Sequence, residues 1–207
     1  MSPHPLPQRL YLITPRVSDT ALFIEGLQAA LDGADIAAVL LRLQDADERA
    51  LVNRVKNIAR IVQRRDIALL LDGRPELVAR AGADGAHITG VAAFTAARDA
   101  LKPDRIAGAG GLNSRHDAMV AGEAGADYVM FGDPPRPPFD AVLERLEWWA
   151  ELFQPPCIGY AASADEVAAQ AQAGADFIAL GDWIWTYAQG PAAAVSAAAA
   201  HLAEPVR

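Results

Sequence analysis

The tripeptide Gly-Ala-Asp occurs four times in this chain, each time after an Ala-rich stretch and before a short apolar run. The copies begin at Gly33, Gly82, Gly125 and Gly174, so they lie 49, 43 and 49 residues apart. A glycine takes the left-handed conformation just past a helix end, and the apolar run that follows is typical of a strand buried on both faces. One strand with its helix needs roughly 20–25 residues, so each interval holds two strand–helix units.

The repeats and the segments midway between them predict eight strands. These are Leu10–Thr14, Ile36–Leu41, Ile67–Leu71, Gly85–Ile88, Ile106–Ala109, Tyr128–Phe131, Cys157–Gly159 and Phe177–Leu180. Apolar residues at helical spacing predict amphipathic helices over Thr20–Leu31, Asp47–Arg64 and Phe139–Phe153. Alternating strands and helices predict an α/β fold, a single small TIM (β/α)8 barrel domain over residues 1–207. An open doubly wound sheet is the alternative, but its strand order reverses, which breaks such a regular repeat.

Charge and composition exclude several classes of protein. The formal net charge is −8 and no basic stripe is present, which argues against nucleic-acid binding. No uncharged apolar run approaches the ~18 residues that a membrane span needs. The single cysteine, Cys157, and a start without a signal-peptide pattern predict a cytoplasmic protein. Trp148 lies off the buried stripe of its helix and is a candidate either for a contact in a homo-oligomer or for packing at the core edge.

The mouth of the predicted barrel is where ligand-binding side chains are expected, because active sites of this fold lie at the carboxyl ends of the strands. The candidates there are Arg42, Asp72, Arg74, His87, Asn113, Arg136 and Asp182. Arg42 interrupts an apolar strand, and a buried guanidinium needs an anionic partner. That partner is either a phosphate or pyrophosphate, or a mouth carboxylate such as Asp72 in a structural ion pair.

The other candidates also have a structural alternative. Asp72 either binds ligand or caps the helix that follows it. His87 either takes part in the reaction or is a packed structural histidine. The four histidines show no metal-ligand spacing. The glycine-rich turn before Asn113 either exposes amides to a phosphate or only turns tightly. Arg136, on the proline-rich segment 134–138, is either part of an anion-binding lid or of a rigid connection.

Several of these segments carry a resemblance to a known family. They are Leu10-Tyr11-Leu12-Ile13-Thr14, Leu40-Leu41-Arg42, Leu71-Asp72-Gly73-Arg74-Pro75 and Gly82-Ala83-Asp84-Gly85-Ala86-His87-Ile88. In order and type they resemble segments of the thiamine-phosphate synthase (thiamine-phosphate pyrophosphorylase) and thiazole tautomerase family, over about Leu10 to Ile184. The resemblance implies a small barrel and a cytoplasmic transferase of thiamine biosynthesis, which joins a hydroxymethylpyrimidine pyrophosphate to a thiazole phosphate.

The resemblance also implies roles for particular residues. Arg42 would hold pyrophosphate, Asp72 stands at the Asn of the pyrimidine site, and His87 would support the neighbouring strand end. The implied ligand is a small phosphorylated pyrimidine or thiazole. The implied cofactor is magnesium, and its expected carboxylate ligands fall at Gly73 and Ala92, neither of which has a side-chain oxygen.

The mouth departs from the family pattern at further positions. A family Lys corresponds to Gln44, a Gly-Gly phosphate turn to Tyr160 and Ala161, and a Ser after strand eight to Asp182. The loss of two magnesium carboxylates leaves pyrophosphate without its usual neutralisation and predicts weak or absent synthase activity. Two alternatives to a divergent synthase therefore stay open: a non-catalytic or regulatory ligand-binding protein, and a tautomerase-like isomerase.

Overall fold

A computed structural model describes residues 8–202 of the chain. Eight parallel strands pair in chain order, and the first pairs with the last, so the sheet closes into a barrel. The strands are β1 (Arg9–Val17), β2 (Ile36–Leu43), β3 (Ala68–Asp72), β4 (Gly85–Thr89), β5 (Ile106–Gly110), β6 (Tyr128–Phe131), β7 (Cys157–Ala161) and β8 (Phe177–Leu180). The predicted (β/α)8 barrel is confirmed, and the open sheet is wrong.

Helices follow the strands and surround the barrel. They are α1 (Thr20–Asp32), α2 (Glu48–Val62), α3 (Val78–Ala81), α4 (Val91–Ala97), α5 (Arg115–Glu123), α6 (Phe139–Leu152), α7 (Asp165–Gln172) and α8 (Pro191–Leu202). The three predicted amphipathic helices are α1, α2 and α6, with ends within two residues of prediction. Asp47 precedes α2 as its cap, because its side chain accepts from the Ala50 amide at 2.9 Å. Over residues 8–202, no helix has the length and apolar run required to cross a membrane.

The Asp of the repeat anchors the amino end of the preceding strand. The carboxylates of three copies accept a backbone amide there: Asp84 from Leu69 at 2.7 Å, Asp127 from Ala107 at 2.7 Å, and Asp176 from Cys157 at 2.8 Å. The first copy differs, because Asp35 instead pairs with the Arg9 side chain at 2.9 Å. Each repeat therefore fastens one strand to the start of its neighbour.

The glycines of the repeat have two different roles. Gly82, Gly125 and Gly174 have positive φ, as the sequence predicts. For Gly33 that prediction is wrong, since its φ is −75°. A Cβ at Gly33 would lie 2.8 Å from the carbonyl oxygen of Ala192, so close approach of α8 requires the glycine there.

Alternate residues of each strand divide the core into two parts. One part fills the space between strands and helices, and the other fills the barrel. The inward part consists of Tyr11, Ile13, Ala38, Leu40, Leu70, Tyr128, Met130, Ile158, Tyr160 and Ala179. Trp148 packs half-buried against Trp149 and Phe153 at the core edge, whereas its role in a homo-oligomer stays a prediction.

Candidate functional site

A cavity of about 280 Å³ opens at the carboxyl ends of the strands. It is lined by Ile13, Arg16, Leu40, Arg42, Asp72, His87, Thr89, Met130, Asp133, Pro134 and Tyr160. Ile13, Leu40 and Met130 belong to the inward core, so they form an apolar floor beneath charged walls. Of the predicted residues, the structure brings Arg42, Asp72 and His87 together here.

Arg42 lies near the end of β2, and its side chain reaches across the end of β1 to the residue that follows β8 and Gly181. Its Nε donates to the carbonyl oxygen of Thr14, and its Nη2 pairs with the Asp182 carboxylate. The expected acidic partner is therefore present, and it is Asp182 rather than Asp72. A second cavity of about 300 Å³ lies on this side, lined by Pro15, Arg16, Arg42, Asp182, Trp185 and Thr186.

Asp72 ends β3 and faces the first cavity. Burial raises the pKa of its carboxyl, while the Arg42 and Arg16 guanidinium groups act in the opposite direction. The helix-cap alternative for Asp72 is wrong, because Arg74 occupies the cap position of the following turn and makes no side-chain cap hydrogen bond. Asp72 is thus a cavity carboxyl whose charge depends on two neighbouring cations.

His87 is buried at the wall of the cavity and belongs to a hydrogen-bonded chain. Its Nδ1 lies 3.0 Å from the Tyr128 hydroxyl, which lies 3.0 Å from the Tyr11 hydroxyl. Burial lowers the pKa of His87 to about 4, so the imidazole is neutral at neutral pH. A neutral ring offers the cavity hydrogen bonding without adding positive charge.

Asp133 and Arg16 are cavity residues outside the set of predicted candidates. Asp133 follows β6 and accepts from the Gly111 amide at 2.9 Å. Its pKa is raised to about 6, chiefly by burial and in smaller part by the nearby Asp72, while the hydrogen bond from the Gly111 amide acts in the opposite direction. The signal for Asp133 is a lone carboxylate two residues after an apolar strand. Arg16 likewise follows the predicted end of β1 by two residues, but the side on which it lies depends on an irregularity in β1.

Four predicted candidates do not line this cavity, and one of them, Asp182, lines the second cavity instead. Arg74 pairs with Asp45, and the Asn113 amide donates to the Gly111 carbonyl at 3.3 Å. Arg136 makes two hydrogen bonds with Glu166, at 2.8 and 2.6 Å. The Arg136 guanidinium is therefore directed toward α7 and away from the cavity, which favours the rigid-connection alternative for segment 134–138.

The glycines of β5 leave space for the side-chain rings of Tyr128 and His87. A Cβ at Gly108 would lie 2.0 Å from the Tyr128 ring, and one at Gly110 would lie 2.4 Å from His87 Nε2. Both distances are impossible contacts, so tight packing explains these glycines.

The positions that the resemblance assigns to magnesium do not supply ligands. Gly73 has no side chain, and Ala92 is an exposed residue in the first turn of α4. Over residues 8–202, no three His, Cys, Asp or Glu side chains are grouped so as to hold a metal ion. Because magnesium takes oxygen ligands in octahedral geometry, these positions do not fit a resident ion.

Known proteins are similar to this chain in sequence and in fold. The thiamine monophosphate synthase family model matches residues 10–184. A thiamine-phosphate synthase of Rhodospirillum centenum is 44% identical over 91% of this chain and 94% of its own length. One of Hyphomonas neptunium is 37% identical over 91% of both chains.

Solved structures show the same barrel. The thiamine phosphate pyrophosphorylase of Pyrococcus furiosus superposes with a TM-score of 0.76 at 24% identity, covering 94% of this chain and 95% of that one. A 3-hexulose-6-phosphate synthase superposes with a TM-score of 0.73 at 16% identity, covering 94% of this chain and 100% of its own. At such identities the likeness concerns the fold alone. The family model and the two bacterial relatives, together covering nearly the whole barrel, show that this chain belongs to the thiamine monophosphate synthase family.

Proposed function

We propose that this protein forms thiamine phosphate by joining a hydroxymethylpyrimidine pyrophosphate to a thiazole phosphate, with release of pyrophosphate. The observation that carries the proposal is the mouth cavity, where Arg42, Asp72 and His87 meet in a chain of this family. The cavity offers both charges that the reaction needs, a cation for the leaving group and an anion for the pyrimidine.

The reaction breaks the bond between the pyrimidine methylene carbon and the pyrophosphate oxygen, and pyrophosphate leaves with the electron pair. The thiazole nitrogen then bonds to the methylene carbon. Arg42 stabilises the charge that develops on pyrophosphate, since a guanidinium binds phosphoryl oxygens through two parallel hydrogen bonds. Asp72 stabilises the positive charge that develops on the pyrimidine, and neutral His87 adds no charge that would oppose it.

Asp182 competes with the substrate for Arg42. Its side chain is 65% exposed, so it can turn into solvent at little cost when a phosphoryl group takes its place. A phosphate close to Asp182 is otherwise repelled. Substrate entry therefore replaces the Arg42–Asp182 pair with an Arg42–phosphate pair.

The family generally uses magnesium, and Gly73 and Ala92 leave this chain without the expected ligands. Neutralisation of pyrophosphate then falls on guanidinium groups at the mouth. This is why the proposal assigns the leaving-group charge to arginine.

The test is product formation by the purified protein supplied with both substrates. Thiamine phosphate is measured by its fluorescence after oxidation to the thiochrome. We expect formation that falls at least about tenfold in Arg42→Gln, because one charge-assisted bidentate contact is lost. The control is Arg60→Gln, which removes the same charge from the exposed surface of α2. Absence of product from the unaltered protein would contradict the proposal.

Two observations favour a second candidate, a non-catalytic ligand-binding protein. The two missing magnesium ligands and the occupied Arg42 describe a mouth that binds without reacting. It predicts binding of the pyrimidine pyrophosphate with no product, whereas a synthase that lacks the two carboxylates predicts measurable product at a rate below ~1 per second. The relatives are named as synthases and add no support for a tautomerase.

A further inference from the structure

We propose that Arg16 is a second phosphate-binding residue, which joins Arg42 in a two-armed clamp on the pyrophosphate of the pyrimidine substrate. The identity of the ligand rests on the proposed function. The clamp itself rests on the register of β1 against β2, on the two cavities and on the charges around them.

A bulge in β1 places Arg16 next to Arg42. Ile13 lies opposite Leu40, and Arg16 lies opposite Arg42, so two residues of β1 face one residue of β2 in between. One of the two is Pro15, which has no N–H for the ladder. Bulges re-aim side chains and are frequent near active sites.

The bulge changes the direction of the Arg16 side chain. Ile13 and Leu40 both point into the barrel, and Arg42 follows Leu40 on the inward side of β2. In a regular strand the residue three positions after Ile13 would point outward. The extra residue returns Arg16 to the inward side, where it lines the same cavity as Arg42.

Among residues 8–202, Arg16 and Arg42 are the only two that line both mouth cavities. A ligand that extends from one cavity into the other therefore has both arginines within its walls. Pyrophosphate has two linked phosphoryl groups, and a pair of guanidinium forks suits such an extended anion.

The charges leave this pair able to take a further anion, although Asp182 pairs with Arg42 and the Asp72 carboxyl lies near both guanidinium groups. Like charges directly opposite one another on neighbouring strands are destabilising. Arg42 has Thr14 and Asp182 as partners, whereas Arg16 makes no ion pair and no side-chain hydrogen bond within residues 8–202. The structure thus keeps one guanidinium available at the junction of the cavities.

Arg16 also compensates for charge that the chain lacks elsewhere. Gln44 stands where the resemblance places a Lys, and no carboxylate at Gly73 or Ala92 recruits magnesium. A second arginine restores positive charge beside the pyrophosphate without a metal.

The experiment is calorimetric titration with inorganic pyrophosphate, and separately with inorganic phosphate, without magnesium. We expect Arg16→Gln to raise the Kd for pyrophosphate at least about tenfold, the loss of one charge-assisted contact. Arg16→Lys should recover part of that loss, because it keeps the charge but not the fork. Arg60→Gln is the control for net charge and should change the Kd by less than about twofold, since Arg60 is exposed on α2, lines neither mouth cavity and is screened by solvent ions.

Two further measurements separate binding from structure and from the identity of the ligand. The unfolding midpoint of Arg16→Gln should match that of the unaltered protein, because Arg16 has no described partner to lose. In the synthase assay, the KM for the pyrimidine pyrophosphate should rise and the KM for the thiazole phosphate should stay unchanged. A rise in the KM for the thiazole phosphate alone would assign Arg16 to the other substrate and overturn the proposal.

The clamp and the proposed function can fail separately. Unchanged pyrophosphate affinity in Arg16→Gln, or no pyrophosphate binding by the unaltered protein, overturns the clamp even if thiamine phosphate is formed. Pyrophosphate binding that depends on Arg16, in a protein that forms no thiamine phosphate, supports the clamp and rejects the synthase.

Discussion

Nδ1 of His87 lies 3.0 Å from the hydroxyl of Tyr128, and the two rings stack with their planes 13° apart. This contact joins the wall of the mouth cavity to the centre of the barrel. Both rings fit only because β5 offers no side chain at Gly108 and Gly110. The position of His87 at the mouth is thus decided by glycines on the neighbouring strand.

Gly110→Ala should move His87 and destabilise the protein. Its Cβ would lie 2.4 Å from His87 Nε2 and 3.1 Å from Asp133 Oδ2, so both side chains must shift. Overpacking of this kind costs about 1–3 kcal/mol. The free energy of unfolding, measured by urea denaturation, checks this.

The matched control is Gly26→Ala, within α1. A Cβ there meets nothing within 4 Å, and alanine favours a helix over glycine by about 0.5–1 kcal/mol. We expect Gly26→Ala to stabilise the protein. A Gly110→Ala protein as stable as the unaltered one would show that the His87 wall is not tightly packed.

The stability of the protein should fall as pH rises from about 4 to above 6, in part because of Asp133. Its pKa is raised from 3.8 to about 6, so the folded protein binds this proton more tightly than the unfolded chain does. The stabilisation is fully present below pH 3.8 and is lost as pH rises through 6. The shift corresponds to at most about 3 kcal/mol.

Asp133→Asn should remove most of this dependence, because the amide oxygen still accepts from the Gly111 N–H and cannot ionise. Urea denaturation at pH 4.5 and 7.5 measures the difference, and Asp104→Asn, on an exposed residue, is the control. An equal pH dependence in Asp133→Asn and the unaltered protein would assign the effect to other groups.

The barrel could be predicted from the repeat because the Asp of the tripeptide makes a recurring hydrogen bond to the neighbouring strand. In three of the four copies the carboxylate accepts a backbone amide at the start of the preceding strand, and so the tripeptide marks every second strand. The residues at the mouth follow from the same regularity: Arg42 and Asp72 each continue the inward side of a regular strand.

Regularity also explains what the sequence does not reveal. Arg16 reaches the cavity through a one-residue bulge, and no periodic pattern predicts which side such a residue takes. The direction of Arg136 depends on Glu166, a partner 30 positions away on α7. The charge of Asp133 depends on its burial in the folded barrel, a tertiary property that the local sequence does not contain.

Asp176→Ala should destabilise the protein by about 1–3 kcal/mol, because the buried Cys157 amide loses its acceptor at 2.8 Å. Asp35→Ala, in the first copy of the repeat, is the control. Asp35 makes only an ion pair with Arg9 on the exposed surface, which contributes about 0–1 kcal/mol. Thermal unfolding of the two variants measures the contrast. Equal losses would mean that the Asp of the repeat acts in the same way in all four copies.

Gly73→Asp combined with Ala92→Asp should create magnesium-dependent binding of pyrophosphate. Space is available at Gly73, since a Cβ there meets nothing within 4 Å. Its φ is +64°, a conformation that Asp tolerates better than most residues. Ala92 is exposed in the first turn of α4, where a carboxylate is favourable to the helix.

The two carboxylates supply the ligand number that magnesium usually takes from protein, and pyrophosphate oxygens supply more. We expect millimolar magnesium to tighten pyrophosphate binding of the double variant by about tenfold, a gain of about 1.4 kcal/mol, and a chelator to abolish the gain. Gly73→Asn with Ala92→Asn is the control, because it keeps the shape without the charge. If the Asp and Asn pairs respond alike to magnesium, then these positions lie too far from the pyrophosphate to share a metal ion with it. Neutralisation of the pyrophosphate charge would then rest on the guanidinium groups at the mouth.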